Sequence, residues 1–200
     1  MNINNEPLLD KEIVRRAKLL KMQLGSNVTV SMFTNGTLLS IDKLEALADS
    51  IDELIINNYS MQYRLNERNR EIFNFVKKYP DKFQNMNIVI NRRYTYEILA
   101  TRAGNAPNKR KKNNNIVSPC IYPYTDLTIF PDGTVGLCCN DCYEVTNYGN
   151  IKENSLKEIW GNDKFKRARE LMAGGRQYLS FCQECDVVDT GFRERLIKET

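Results

Sequence analysis

The sequence predicts an α/β fold with a parallel sheet, followed by a small α+β segment. Three observations predict it. Short apolar runs alternate with helical stretches through roughly the first hundred residues. A polar break bearing Gly and Pro covers residues 103–119. All six cysteines, Cys120, Cys138, Cys139, Cys142, Cys182 and Cys185, fall after that break.

Each element has its own signal. Residues 10–24 carry Ile13, Ala17, Leu20 and Leu24 at helical spacing, with Gly25 as the expected C-terminal cap. Val28 to Phe33 is a short run of β-formers. Ser40 is placed to cap a second helix through Ala48, with Leu44 and Leu47 on one face. Leu54-Ile55-Ile56 reads as a buried strand. Residues 63–78 predict a third helix, with Ile72, Phe73 and Val76 on one side, and Asn87 to Ile90 a third strand. Strands separated by helices in this order suggest βαβ units.

After the break comes a hairpin. Leu127 and Ile129 alternate with polar neighbours, as do Val135 and Leu137, and Pro131-Asp132-Gly133 supplies the turn. Ser155 predicts a short helix ending near Trp160. Residues 163–173 predict another, stopped by Gly174-Gly175. The boundaries expected are 1–104 for the α/β part, 105–116 for a linker, 117–188 for the cysteine-bearing domain and 189–200 for a charged tail.

Composition bounds the function. A charged content of 27% and hydrophobic content of 42% describe a globular chain. A net charge of +4 is too small to imply nucleic acid, and the basic run Lys109–Lys112 reads as solvated linker. Charges interrupt every apolar run, so no membrane span is expected. Met1 to Pro7 lacks a basic and an apolar stretch, so a cytoplasmic location is expected. There, clustered cysteines point to metal rather than disulfides. The chain has no histidine, which leaves thiolate and oxygen ligands.

Two ligand groupings compete. Cys182-x2-Cys185 can meet one centre from a single turn, with Cys120 and Cys138 brought in by the hairpin. That makes four thiolates, one for each iron of a [4Fe–4S] cube. Alternatively Cys139-x2-Cys142 joins Cys182-x2-Cys185 as two zinc-knuckle pairs, separated by more than the usual ~15–20 residues. Spacing leaves both open.

The order Cys120-x12-Gly133-x4-Cys138, then Cys182-x2-Cys185, resembles the SPASM/twitch auxiliary-cluster domain of radical S-adenosylmethionine (SAM) enzymes. Phe130-Pro-Asp-Gly-Thr-Val135, Gly149-Asn150-Ile151, Ser155-Leu-Lys-Glu-Ile-Trp160 and Arg169 extend the likeness. The resemblance implies an auxiliary [4Fe–4S] cluster on Cys120, Cys138, Cys182 and Cys185. It selects Cys138 over Cys139, and successive strand residues face opposite ways, so one of the two is expected to bind.

The first segment is similar to the later part of a radical SAM half-barrel. Glu6-Pro7 resembles the end of the family's Gly-Gly-Glu-Pro motif, with Asn4-Asn5 where glycines stand. Thr34-Asn35-Gly36 resembles the motif closing the third strand. The likeness implies that Glu6, Thr34, Asn35 and Gly36 bind SAM. The family's catalytic Cys-x3-Cys-x2-Cys does not occur in these 200 residues. The expectation is therefore a partial, truncated barrel, not catalytic alone. SAM would be used only if the missing N-terminal part were supplied, by a separate polypeptide carrying the catalytic cluster. An electron-transfer partner is the other expected contact, and a zinc-binding interaction module is the alternative function. Tyr59, Arg93 and Arg102 are read as loop residues and assigned no role.

Overall fold

In the computed structural model, which describes residues 5–97, 102–103 and 116–187, three strands of the first half lie parallel in the order β1-β2-β3. They are β1 (Ser31–Thr34), β2 (Glu53–Ser60) and β3 (Asn87–Tyr94). The chain divides into two units, Met1–Glu97 and Ile98–Thr200. No helix among the described residues is long and apolar enough to cross a membrane.

In the first unit, α1 (Ile13–Leu24) precedes β1, while α2 (Ile41–Leu47) and α3 (Glu67–Lys78) make the crossovers between strands. Gly25, at φ +66°, ends α1. Ser40 caps α2 by accepting from the Lys43 N–H at 3.2 Å. Strand alternation then sorts the side chains. Met32, Leu54 and Ile56 pack with Ile13, Ala17, Leu44, Leu47 and Ile72 of the helices into one core. The next residues along each strand, Phe33, Ile55 and Val89, are in register across the sheet. One step beyond them, Asn91 Nδ2 donates to Asn57 Oδ1 at 3.2 Å.

The third helix begins later than its periodicity predicts. Asn66 accepts from the Asn69 N–H at 2.8 Å, so helical geometry starts at Glu67 rather than 63. Phe73, expected on the apolar side, is exposed, and Lys77 lies over its ring at 5.2 Å. Phe75 takes the inward place, edge-on to Phe83. The third strand runs four residues past the predicted Ile90, to Tyr94. Tyr59 and Arg93 lie on β2 and β3 as register partners, not in loops.

In the second unit, α4 (Tyr122–Thr125) leads into β4 (Thr128–Ile129), which pairs antiparallel with β5 (Val135–Gly136). The turn between them is closed by the Asp132 carboxylate, which accepts from the Thr134 N–H and hydroxyl, each at 2.8 Å. Gly133 sits there at φ +95°. The inward phase of β4 is the reverse of the prediction. Thr128 and Phe130 are buried and Ile129 is exposed. The Phe130 ring fills the space left by Gly136, where a Cβ would meet Phe130 Cζ at 2.4 Å, and that contact sets the strand's rotation.

Helix α5 (Leu156–Gly161) opens with a reciprocal Ser155–Glu158 capping box, and Asn162 caps α6 (Asp163–Ala173). Val135, Leu137, Tyr148, Ile159, Phe165, Ala168, Met172 and Cys182 form this unit's core. The Arg169 guanidinium stacks between Trp160 and Phe165 and donates to Trp160 O at 2.6 Å. Most of the expected linker, with Lys109–Lys112, and the tail 189–200 lie outside the described residues.

Candidate functional site

Four of the six cysteines line one cavity in the second unit: Cys120, Cys138, Cys182 and Cys185. Local structure explains each position. Cys182 ends a 3₁₀ turn, Ser180–Cys182, and the Cys185 N–H donates back to Cys182 O at 3.1 Å, so one turn presents both thiols. Cys138 follows β5. Its direction is held by a chain of hydrogen bonds in which the Leu137 N–H donates to Thr146 Oγ1 at 2.8 Å and that hydroxyl donates to Asp141 at 2.6 Å. The fully buried Asp141 carboxylate also accepts from the N–H groups of Val145 and Thr146. Cys120 precedes α4, and its N–H donates to Met172 Sδ at 3.2 Å.

Cys139 and Cys142 are placed differently. Cys139 is exposed, Cys142 is half-buried, and neither lines the cavity. Among the described residues no three Cys, Asp or Glu side chains converge as tightly as a single metal ion demands. A cube of four irons takes one thiolate per iron, so its ligands stand around it rather than meeting at a point.

Burial governs the thiols' protonation. It pushes Cys138 well above an ordinary thiol, against an opposing hydrogen bond from Asn140. It pushes Cys182 up to about 12, helped by Cys185 and Cys120 and opposed by Arg176. Metal-free Cys138 and Cys182 therefore keep their protons at pH 7, and a metal must displace them. Arg176 is also in this wall, 2% exposed, with its Nε–H buried and unpaired. Four thiols, apolar neighbours and a buried cation with a spare donor fit an anionic iron–sulfur group.

The raised thiols make a testable difference to the metal-free protein. In the unfolded chain they titrate near 9.0. Folding holds their protons more tightly, so their contribution is complete below pH ~9 and is lost as pH rises toward the folded values. Urea midpoints read from the single tryptophan, Trp160, are expected to fall between pH 9 and 11. The fall is expected to shrink in Cys182→Ala. A midpoint flat across that range contradicts the burial argument.

The first unit brings its candidates together at the C-terminal end of β1. Glu6 accepts from Thr34 Oγ1 at 2.6 Å, from the Asn35 N–H at 2.8 Å and from the Leu8 N–H at 3.1 Å. The Gly36 N–H donates to Thr34 Oγ1 at 3.0 Å, with Gly36 at φ +77°. Behind this turn stands buried Asn69, whose amide donates to Asn35 O at 3.1 Å and to Asn58 Oδ1 at 2.9 Å. The C-terminal edge of a parallel sheet is where α/β folds bind ligands. Asn58, Asn69, Asp141 and Arg176 were not found by sequence reasoning. Each is a polar residue type usually at the surface, and only packing reveals its burial.

Residues 120–186 match the family model of SPASM, described as an iron–sulfur cluster-binding domain. A curated relative, the S-adenosyl-L-methionine-dependent 2-deoxy-scyllo-inosamine dehydrogenase of Niallia circulans, is 29% identical over 102 residues. That match covers 49% of this chain and only 39% of the relative's length. Among solved structures, the crystal structure of BtrN in complex with AdoMet and 2-DOIA aligns with a TM-score of 0.73 at 22% identity, covering 92% of this chain and 70% of that one. A selenomethionine BtrN in an open conformation aligns at a TM-score of 0.61 with 20% identity, covering 92% of this chain and 68% of that one. The two structural likenesses establish the fold.

Proposed function

We propose, from the premise that this chain is a radical SAM/SPASM-type protein, that it holds one auxiliary [4Fe–4S] cluster on Cys120, Cys138, Cys182 and Cys185. The observation that carries this reading is the shared cavity: the four cysteines separated along the sequence line one space, and the other two do not. Four protein thiolates leave no iron open for a substrate. When bound, such a cluster supplies one-electron transfer. A dehydrogenation like that in the relative's name removes two electrons from its substrate, and an electron-transfer site suits that chemistry.

In the first unit, we read the parallel strands as part of a half-barrel. Glu6 offers a carboxylate at the strand end, and Thr34, Asn35 and Gly36 fix its direction. An ammonium group such as that of SAM would meet the carboxylate there. Catalytic cleavage of SAM requires the three-cysteine loop, which is not among these 200 residues. A segment or polypeptide other than these residues would supply it. These residues alone are non-catalytic in this reading and work in the reducing cytoplasm, without nucleic acid or membrane.

Anaerobic incubation with iron and sulfide tests the metal assignment. Roughly four irons and four sulfides per chain are expected, one iron per thiolate. A colourless protein retaining stoichiometric zinc would establish the interaction-module alternative instead. Mixing the loaded chain with a polypeptide bearing Cys-x3-Cys-x2-Cys is expected to give 5′-deoxyadenosine from SAM under reduction. No product from the loaded pair counts against the enzymatic reading.

A further inference from the structure

We propose that Arg176 is the charge partner of the cluster and sets its reduction potential; this rests on the cluster assignment above. The residue stands in a 3₁₀ turn, Arg176–Tyr178, immediately after Gly175. Gly175 is at φ +119°, and a Cβ there would lie 2.3 Å from Val117 O. That close approach lets the Arg176 N–H donate to Val117 O, which ties the turn to the strand of chain leading to Cys120.

The side chain then runs into the cavity wall beside the four cysteines. Nη1 donates to Val187 O at 2.6 Å and lies 3.5 Å from Cys185 Sγ. Nε is buried without a partner. Among the described residues no carboxylate pairs with this guanidinium. Arginine stays protonated, and a buried charge without a counter-charge is costly. Four thiolates around an iron–sulfur core supply that counter-charge, because they over-neutralise its positive charge and leave the whole group anionic.

The cation therefore completes the site, and its effect has a sign. Adding an electron makes the cluster more negative, so a neighbouring positive charge favours the reduced form and raises the potential. The free Nε–H is a donor for a cluster sulfur, and hydrogen bonds to sulfur act in the same direction. Arg176 is thus a positioning and tuning residue rather than a ligand.

The test is a redox titration of the full chain, loaded anaerobically and followed by EPR of the reduced cluster. Arg176→Gln is expected to lower the reduction equilibrium constant at least tenfold, ~59 mV for one electron. Arg176→Lys keeps the charge and is expected to fall between. Arg176→Gln with full iron content and an unchanged midpoint overturns the proposal. Should that variant fail to load, the wild-type chain labelled with 15N-arginine decides. Pulsed EPR of its reduced cluster is expected to show coupling to an arginine nitrogen, and absence of coupling overturns the proposal. A wild-type chain that takes up no iron instead sinks the cluster assignment, a different result from a loaded chain with no shift.

Discussion

Cys138→Ser is expected to strip most of the iron from the reconstituted protein, while Cys139→Ser leaves iron content and visible absorption unchanged. The two residues are neighbours of one type, so composition does not separate them. Position does. Cys138 is buried and lines the cavity with the other three candidates, and Cys139 is exposed. Replacing even an outer partner of a metal ligand commonly costs 10–100-fold in affinity, and loss of a ligand costs at least that. Cys120→Ser, Cys182→Ser and Cys185→Ser are expected to behave like Cys138→Ser, and Cys142→Ser like Cys139→Ser. Iron and acid-labile sulfide assays check this. Retained iron in Cys138→Ser with loss in Cys139→Ser would reverse the choice. Loss in the variants of Cys139, Cys142, Cys182 and Cys185 alone would restore the two-pair zinc grouping.

Gly36→Ala is the second large effect, and it acts on the first unit. The backbone there is at φ +77°, which costs an L-residue roughly 1–2 kcal/mol. A Cβ would also stand 2.0 Å from Asn69 Oδ1 and 2.8 Å from Ile56 Cγ2, both on fully buried side chains. Overpacking of that kind costs about 1–3 kcal/mol. Asn69 has little freedom to yield, because its amide is committed to Asn35 O and Asn58 Oδ1. The combined loss is expected to be about 2–5 kcal/mol, the sum of those two costs. Urea unfolding followed by circular dichroism measures it. A change under ~0.5 kcal/mol, the size of an ordinary surface substitution, would show that the turn relaxes and that its packing does not define it.

Both predictions depend on how much of the site was legible beforehand. The alternation of strands and helices was read correctly because each element carries its own period: Leu44 and Leu47 on α2, Leu54 and Ile56 on β2. Caps were legible at Ser40 and Ser155, each a serine directly before a helical run. Errors came where a neighbour in space decides. The start of α3 moved because Asn66 captures its first turn. Phe73 went outward because Phe75 reaches Phe83. The rotation of β4 reversed because Phe130 occupies the gap at Gly136. The Asn66 cap is local but is a polar contact that an apolar period does not register, and the other two join residues beyond one helical turn, so no periodicity contains them.

For this protein the sequence alone determined the class of chemistry. The absence of histidine, the placing of all six cysteines after residue 119 and the order of their spacings restricted the ligands to thiolates and oxygens in the second half. Through the resemblance it also pointed to Glu6 and, separately, to the Thr34-Asn35-Gly36 turn, and the structure joined the two by hydrogen bonds. The tertiary structure decided which thiols share a cavity, since burial is a property of packed surfaces: Cys138 is enclosed and Cys139 exposed. It also put the charge there. An arginine reads as a surface residue in any sequence, and only a folded chain can enclose Arg176 beside Cys185 with a donor to spare.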